Sequence, residues 1–134
     1  MNPWILISAG LSAVTVLLHV LGGGTEVHAP MLASELSVIL KAYSSVLWHA
    51  VTIVLVINSL ALLVAAFRVS LQKPLVLLAA WQYLGFAILF GIYGMTRLGS
   101  LMPMPQWIIF CLIVAPAVMG LKRGSQMPAE RVQA

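Results

Sequence analysis

Apolar residues run along the chain in four long blocks, and shorter stretches with glycine, proline or charged residues separate them. A helix needs about 20 apolar residues to cross the hydrocarbon layer of a membrane. The pattern predicts four transmembrane spans, at about residues 4–21, 43–67, 75–95 and 106–121. Short connections favour antiparallel neighbours, so we expect an all-α, up-down-up-down four-helix bundle that forms a single domain over residues 1–134.

The boundaries of these spans follow from capping and helix-breaking residues. Asn2 followed by Pro3 is typical of a helix start, and the run Gly22-Gly23-Gly24 predicts the end of the first helix. Residues 30–42 keep helical periodicity after Pro30. This stretch predicts either a short amphipathic helix at the membrane surface or a helical extension before the second span. Pro116 should kink the fourth span, because proline removes a backbone donor.

Polar residues within the first two spans follow a helical spacing. Those of the first span are four, three and four residues apart and share one face, which ends at His19. Since unsatisfied polar groups are costly in lipid, we expect the polar faces of the first two spans to pack against each other. The predicted helix-packing stripe comprises Ser8, Ser12, Thr15, Ser45 and Thr52.

Composition supports a chain that lies almost wholly in the bilayer. Hydrophobic residues make up 62% of the sequence and charged residues 7%, whereas soluble domains carry about 25% charged residues. The net charge of +4 comes from basic residues at the ends of apolar blocks, so it indicates topology and not a nucleic-acid partner. One side would carry Arg68, Lys73, Lys122, Arg123 and Arg131, and the other Lys41 and Arg97.

The excess of basic residues on one side places both termini in the cytoplasm. The layout resembles the small four-helix proteins of bacterial inner membranes. This resemblance covers the architecture of the whole chain and implies an inner-membrane location, but it specifies no activity.

The candidate chemistry is concentrated between residues 19 and 49. His19 would lie near the end of the first span, His49 near the start of the second, and His28 in the loop between them. We therefore expect the three imidazoles to meet at the outer side of the bundle, where ionisable groups mark functional sites. Imidazole with carboxylate suits zinc, and imidazole with thioether suits copper. The further predicted ligands are Glu26 and Glu35, with Met31, Met102 and Met104 as weaker ones.

Three kinds of function fit this pattern. The first is the binding or transport of a transition-metal ion, copper or zinc, or of a small cation at the outward histidine cluster; a single haem between two histidines is the weaker alternative. The second is an accessory or assembly subunit, or a structural homo-oligomer, within a larger membrane complex. The third is a membrane-embedded enzyme that uses His/Glu acid–base chemistry on a lipid, sterol or quinone.

Overall fold

The computed structural model describes residues 1–124, which form four helical rods joined by short connections. The first rod runs without a break through three segments and ends at Ala33, and the connection between the second and third rods is the single residue Arg68. Arg131 of the predicted charge pattern lies outside the described residues. The elements are α1 (Pro3–Leu17), a π-helix (Leu18–His28), α2 (Ala29–Ala33), α3 (Val38–Phe67), α4 (Val69–Leu98) and α5 (Gln106–Gly124).

The four rods pack as a ring. α1 packs against α3 and α5, and α4 packs against the same two helices. The core is narrow, and most large apolar side chains lie on the outside, where a bilayer requires them. All four rods are long and apolar enough to cross a membrane, which confirms the predicted all-α four-helix membrane bundle. The most deeply buried large side chains are Ile5, Leu55, Leu62, Val76, Tyr83 and Ile113.

One end of the ring is closed by Asn2, and we call it the Asn2 end. The backbone N–H of Asn2 donates to the carbonyl of Ala66 at 2.8 Å, and its side-chain Nδ2 donates to the carbonyl of Gly120 at 3.0 Å. α1 meets α5 closely here, because a Cβ on Gly120 would lie 2.7 Å from Cγ1 of Ile5. The start of α1 is therefore fastened to the ends of α3 and α5.

The rods differ in length, which sets the depth of each residue. α3 and α4 have 30 residues each and are about 45 Å long, whereas α5 has 19 residues and is about 28 Å long. The hydrocarbon layer is about 30 Å thick, or some 20 helical residues counted from the Asn2 end. The opposite boundary then falls near Gly23 on the first rod and Trp48 on α3. With the hydrocarbon layer counted in this way, the helical hairpin beyond those two residues lies outside it.

The structure corrects the predicted end of the first helix. The run Gly22-Gly23-Gly24 does not stop the helix, which continues as a π-helix and then as α2 to Ala33. Gly23 serves helix packing, because the Trp48 indole of α3 occupies the space that a side chain at this position would need. Glu26 and His28 therefore lie on a helix and not in a loop.

The other boundaries shift outward as well. α3 begins at Val38, so the helical extension before the second span is present, and α2 extends the first rod beside it. α4 begins at Val69 and includes Pro74, which was expected to precede it. Pro74 is the sixth residue of α4, beyond the first turn where proline costs nothing, so its missing N–H removes the helical hydrogen bond to the carbonyl of Ser70.

Candidate binding site at the histidine end

The π-helix places two histidines on one face of the first rod. His19 and His28 are nine residues apart, and a regular α-helix would turn them by about 180° to opposite faces. In a π-helix the hydrogen bonds run from residue i to i+5, so nine residues make about two full turns. Both imidazoles therefore face α3. We call this end of the bundle the histidine end.

Trp48 of α3 is the centre of the site. Its indole stacks with the His19 ring, with ring centroids 4.0 Å apart and planes 19° apart, and with the His28 ring at 5.2 Å and 4°. A Cβ on Gly23 would lie 2.8 Å from the far edge of the indole. The missing side chain at Gly23 is thus what lets Trp48 approach the helix between the turns that carry the two histidines.

The ring of His19 is held by two oxygen atoms of α3. Its Nε2 lies 3.1 Å from Oγ1 of Thr52 and 3.4 Å from the carbonyl oxygen of Trp48. The Thr52 hydroxyl donates to that same carbonyl at 3.1 Å. Because a carbonyl only accepts, we assign the proton to Nε2 of His19. The stack and these bonds fix the ring of His19 in place.

His28 and His49 form the outer part of the site. Nε2 of His28 lies 3.1 Å from Oγ of Ser45, which ties the π-helix to α3 one turn beyond Trp48. The His49 ring meets the His28 ring edge-on, with centroids 5.6 Å apart and planes at 79°. The His49 side chain is exposed. The three predicted histidines thus form one connected chain of contacts, in which Trp48 joins His19 to His28 and His28 joins His49.

The predicted carboxylate ligands do not join this cluster by any bond. Glu26 and Glu35 are exposed, and neither side chain makes a hydrogen bond or ion pair within residues 1–124. Within the same residues, no three His, Cys, Asp or Glu side chains are grouped so that they could hold a metal ion. A closed metal centre with several protein ligands therefore has no support from the geometry of the described chain.

The methionines that were predicted as weaker ligands lie in two different places. Met31 is half-buried on α2, three residues after His28 and so about one turn further along the rod. Met102 and Met104 lie in the connection between α4 and α5, where Met102 is exposed and Met104 half-buried. Their roles as ligands stay predictions.

The polar stripe of α1 leads from the histidine end into the bundle core. Ser12 Oγ bonds to Ser59 Oγ of α3 at 2.6 Å and also to the Tyr83 hydroxyl of α4. Ser8 donates to the carbonyl of Ile113 on α5 at 2.6 Å, whereas Thr15 bonds back to Leu11 of its own helix. In residues 1–124, each buried side-chain nitrogen and oxygen has a hydrogen-bond partner. The polar stripe of α1 therefore has no buried side-chain polar atom that needs water or an ion as a hydrogen-bond partner.

The polar faces of the first two rods do pack together, but the stripe serves more than one neighbour. Ser45 and Thr52 of α3 bind the two histidines of the first rod, whereas Ser8 and Ser12 also reach α5 and α4. Sequence reasoning missed Tyr83. The available signal was a phenol in the middle of a span, whose hydroxyl needs a partner when it is buried.

Trp48 was not among the predicted site residues, and Gly23 was predicted only as part of a helix stop. Neither residue carries a sequence motif that would reveal the stack.

Comparison of the chain with protein-family models, with curated proteins and with solved structures gives no match. Function has to be argued from the geometry of the site.

Proposed function

We propose that this integral membrane protein binds a transition-metal ion, copper or zinc, through the imidazoles of His28 and His49 at the histidine end. The supporting observation is the 5.6 Å between the centroids of the two rings. Metal–nitrogen bonds of about 2.0 Å in tetrahedral geometry put two ligating imidazoles on one ion at roughly this spacing. Imidazole is a good ligand for both metals.

The hydrogen bonds around the rings support the same proposal. A ligating histidine usually binds the metal through one nitrogen and is oriented by a hydrogen bond through the other. The bond between Nε2 of His28 and Ser45 has this form and leaves Nδ1 of His28 to bind the ion. We assign His19 a different role. Its stack on Trp48 and its hydrogen bonds hold the His19 imidazole against α3, so this imidazole does not ligate the ion.

The proposed site is open, with two protein ligands and the remaining positions left to water or to an exchanging partner. Sites that keep open positions exchange ligands, unlike closed structural sites. Within residues 1–124, the polar side chains buried inside the bundle are all hydrogen-bonded to one another or to the backbone. This favours metal binding at the membrane surface over transport of the ion through one bundle. The charge pattern favours cytoplasmic termini, so the site would face outward from a bacterial inner membrane.

We expect the purified protein, prepared without a polyhistidine tag, to bind about one copper or zinc ion per chain. The variants His28→Ala and His49→Ala should each lose this binding, because each removes one of two protein ligands. Ser45→Ala should weaken it by roughly 10- to 100-fold, which is the typical effect of losing a group that orients a ligand, here His28. Elemental analysis and a metal titration in detergent would measure all four proteins.

Tryptophan fluorescence supplies the matched control. Cu²⁺ bound beside Trp48 should quench its emission, and Trp48→Phe should remove that quenching. Trp81→Phe should keep it, because Trp81 is exposed on α4 and makes no ring contact with a histidine. Background metal content in the wild-type protein, or equal binding in wild type, His28→Ala and His49→Ala, would contradict the proposal.

The projecting hairpin favours a second candidate function, an accessory or assembly subunit. Beyond the hydrocarbon boundary, α3 exposes 85% of Val38, 63% of Ile39 and 65% of Tyr43. Apolar side chains at that level are typical of a surface that a protein partner covers.

A photo-cross-linker placed at Val38 in membranes tests this accessory role. We expect it to give a discrete protein adduct, whereas the same group at Ile57 in the middle of α3 should react only with lipid. An adduct of twice the chain mass would identify a homo-oligomer. Lipid adducts alone at both positions would contradict the accessory role.

A further inference from the structure

The Asn2 end gathers basic residues that are far apart in the sequence. Asn2 is bonded to Ala66, which lies two residues before Arg68, and to Gly120, which lies two residues before Lys122. Because three helix ends meet at Asn2, the side chains that follow them are brought to one surface. The exposed basic residues of this surface, which we call the basic patch, are Arg68, Lys73, Lys122 and Arg123.

No acidic residue of the described chain lies near the basic patch. Glu26 and Glu35 are the acidic residues among residues 1–124, and both belong to the projecting hairpin at the histidine end. About 20 helical residues, or roughly 30 Å, separate the two ends. This distance exceeds the screening length of about 8–10 Å at moderate ionic strength. Neither carboxylate of residues 1–124 therefore neutralises Arg68, Lys73 or Arg123.

The depth of the patch is set by α5 and Trp4. α5 is about as long as the hydrocarbon layer is thick, so Arg123 in its last turn lies at the level of the lipid headgroups. The Arg123 guanidinium lies 4.5 Å from the centre of the Trp4 ring. Tryptophan side chains prefer this interfacial level, and a cation over an indole face is held there by attraction to the ring.

We propose that the basic patch binds the phosphates of anionic glycerophospholipids, independently of any function of the histidine end. Anionic headgroups are the negative charges present at this depth, and basic residues beside a membrane span attract them. The positions of Arg68 and Arg123 on two separate helix ends suit contact with more than one phosphate oxygen. A soluble phosphate compound would be the alternative source of the same chemistry.

Lipid retention measured by native mass spectrometry tests the proposal. The full chain is taken from vesicles of phosphatidylcholine with a minor fraction of phosphatidylglycerol, and the lipids that stay bound are counted. We expect phosphatidylglycerol to be enriched over its share in the vesicle. The double variant Arg68→Gln/Lys73→Gln should lower this enrichment by about 25-fold, at roughly fivefold for each charge.

The matched control removes the same charge from the other end of the bundle. Lys41→Gln/Arg97→Gln should leave the enrichment unchanged, since neither residue belongs to the basic patch. Equal loss in both double variants, or no enrichment in the wild type, would overturn the proposal. Displacement of the lipid by inorganic phosphate that clearly exceeds the effect of sodium chloride at the same ionic strength would reassign the patch to a soluble anion and overturn the proposal as well.

A measurement on the unmodified chain keeps the test decisive if a variant fails to fold. The enrichment of phosphatidylglycerol should fall steadily as salt is raised, because exposed charges are screened. Enrichment that does not respond to salt would mean that acyl-chain packing selects the lipid, which contradicts the role of the patch. Metal content is measured in parallel, and it should not depend on the lipid used.

Discussion

Tyr83→Ala is expected to lower the free energy of unfolding of the bundle by about 3–5 kcal/mol, the range for deleting a buried aromatic side chain. Tyr83 has no exposed surface, and its ring packs 5.7 Å from that of Phe110 on α5. Its hydroxyl also bonds to Ser12. The substitution would therefore leave a cavity where α1, α4 and α5 meet and remove a partner of Ser12. Unfolding in detergent with increasing denaturant, followed by circular dichroism, measures the change.

Tyr83→Phe separates packing from hydrogen bonding at the same position. It keeps the ring and removes the hydroxyl, and hydrogen bonds between membrane helices contribute about 0.6 kcal/mol on average. Ser12 also keeps its bond to Ser59. We therefore expect Tyr83→Phe to have a small effect and Tyr83→Ala a large one. Equal losses in the two variants would show that the hydroxyl, and not the ring, stabilises the core.

Gly23→Val is expected to disrupt the histidine end while the spans stay folded. The new side chain would need the space that the Trp48 indole occupies, because a Cβ alone would lie 2.8 Å from it. The indole is a rigid ring stacked with two imidazoles, so it cannot move without separating from His19 and His28. Overpacking of this kind costs about 1–3 kcal/mol. Near-ultraviolet circular dichroism should report the displaced tryptophan, and metal affinity should fall by roughly 10- to 100-fold.

Gly24→Val is the matched control for Gly23→Val, because nothing lies within 4 Å of a Cβ placed at Gly24. The two variants make the same chemical change at adjacent positions of the same π-helix. We expect Gly24→Val to keep both the tryptophan signal and the metal affinity. If both variants lost the tryptophan signal and the metal affinity equally, the glycines would be required for the π-helical backbone and not for the packing of Trp48.

The four-span bundle could be predicted from the sequence because hydrophobic length is a strong and local signal. The polar faces of the first two rods could be predicted for the same reason, since Ser12 and His19 repeat with the helical period. The winding of residues 18–28 could not. A helix that changes from 3.6 residues per turn to a wider turn leaves no pattern that an α-helical projection would detect.

The histidine cluster shows how this limit affects a site. Residue types and proximity in sequence indicated that His19, His28 and His49 would meet, but the expected route was a loop after a glycine stop. In the structure the two histidines lie on one continuous helix. Gly23 leaves room for the Trp48 indole, and the wider turn of the π-helix places His28 on the same face as His19. Tertiary packing against α3 determines this geometry, and no periodicity or motif in a single sequence predicts it.

The closure of the ring at Asn2 has a consequence for how the protein is made. The contacts of α1 with α3, of α3 with α4 and of α4 with α5 join rods that follow one another in the chain, and such local contacts form early. The bond from Asn2 to Gly120 spans 118 positions and must wait for α5. Until α5 is inserted, the Ser8 hydroxyl lacks its acceptor on Ile113 and faces lipid. A ribosome stalled before residue 106 would thus leave an open three-rod assembly in the membrane, with a polar flank that quality-control proteases could recognise.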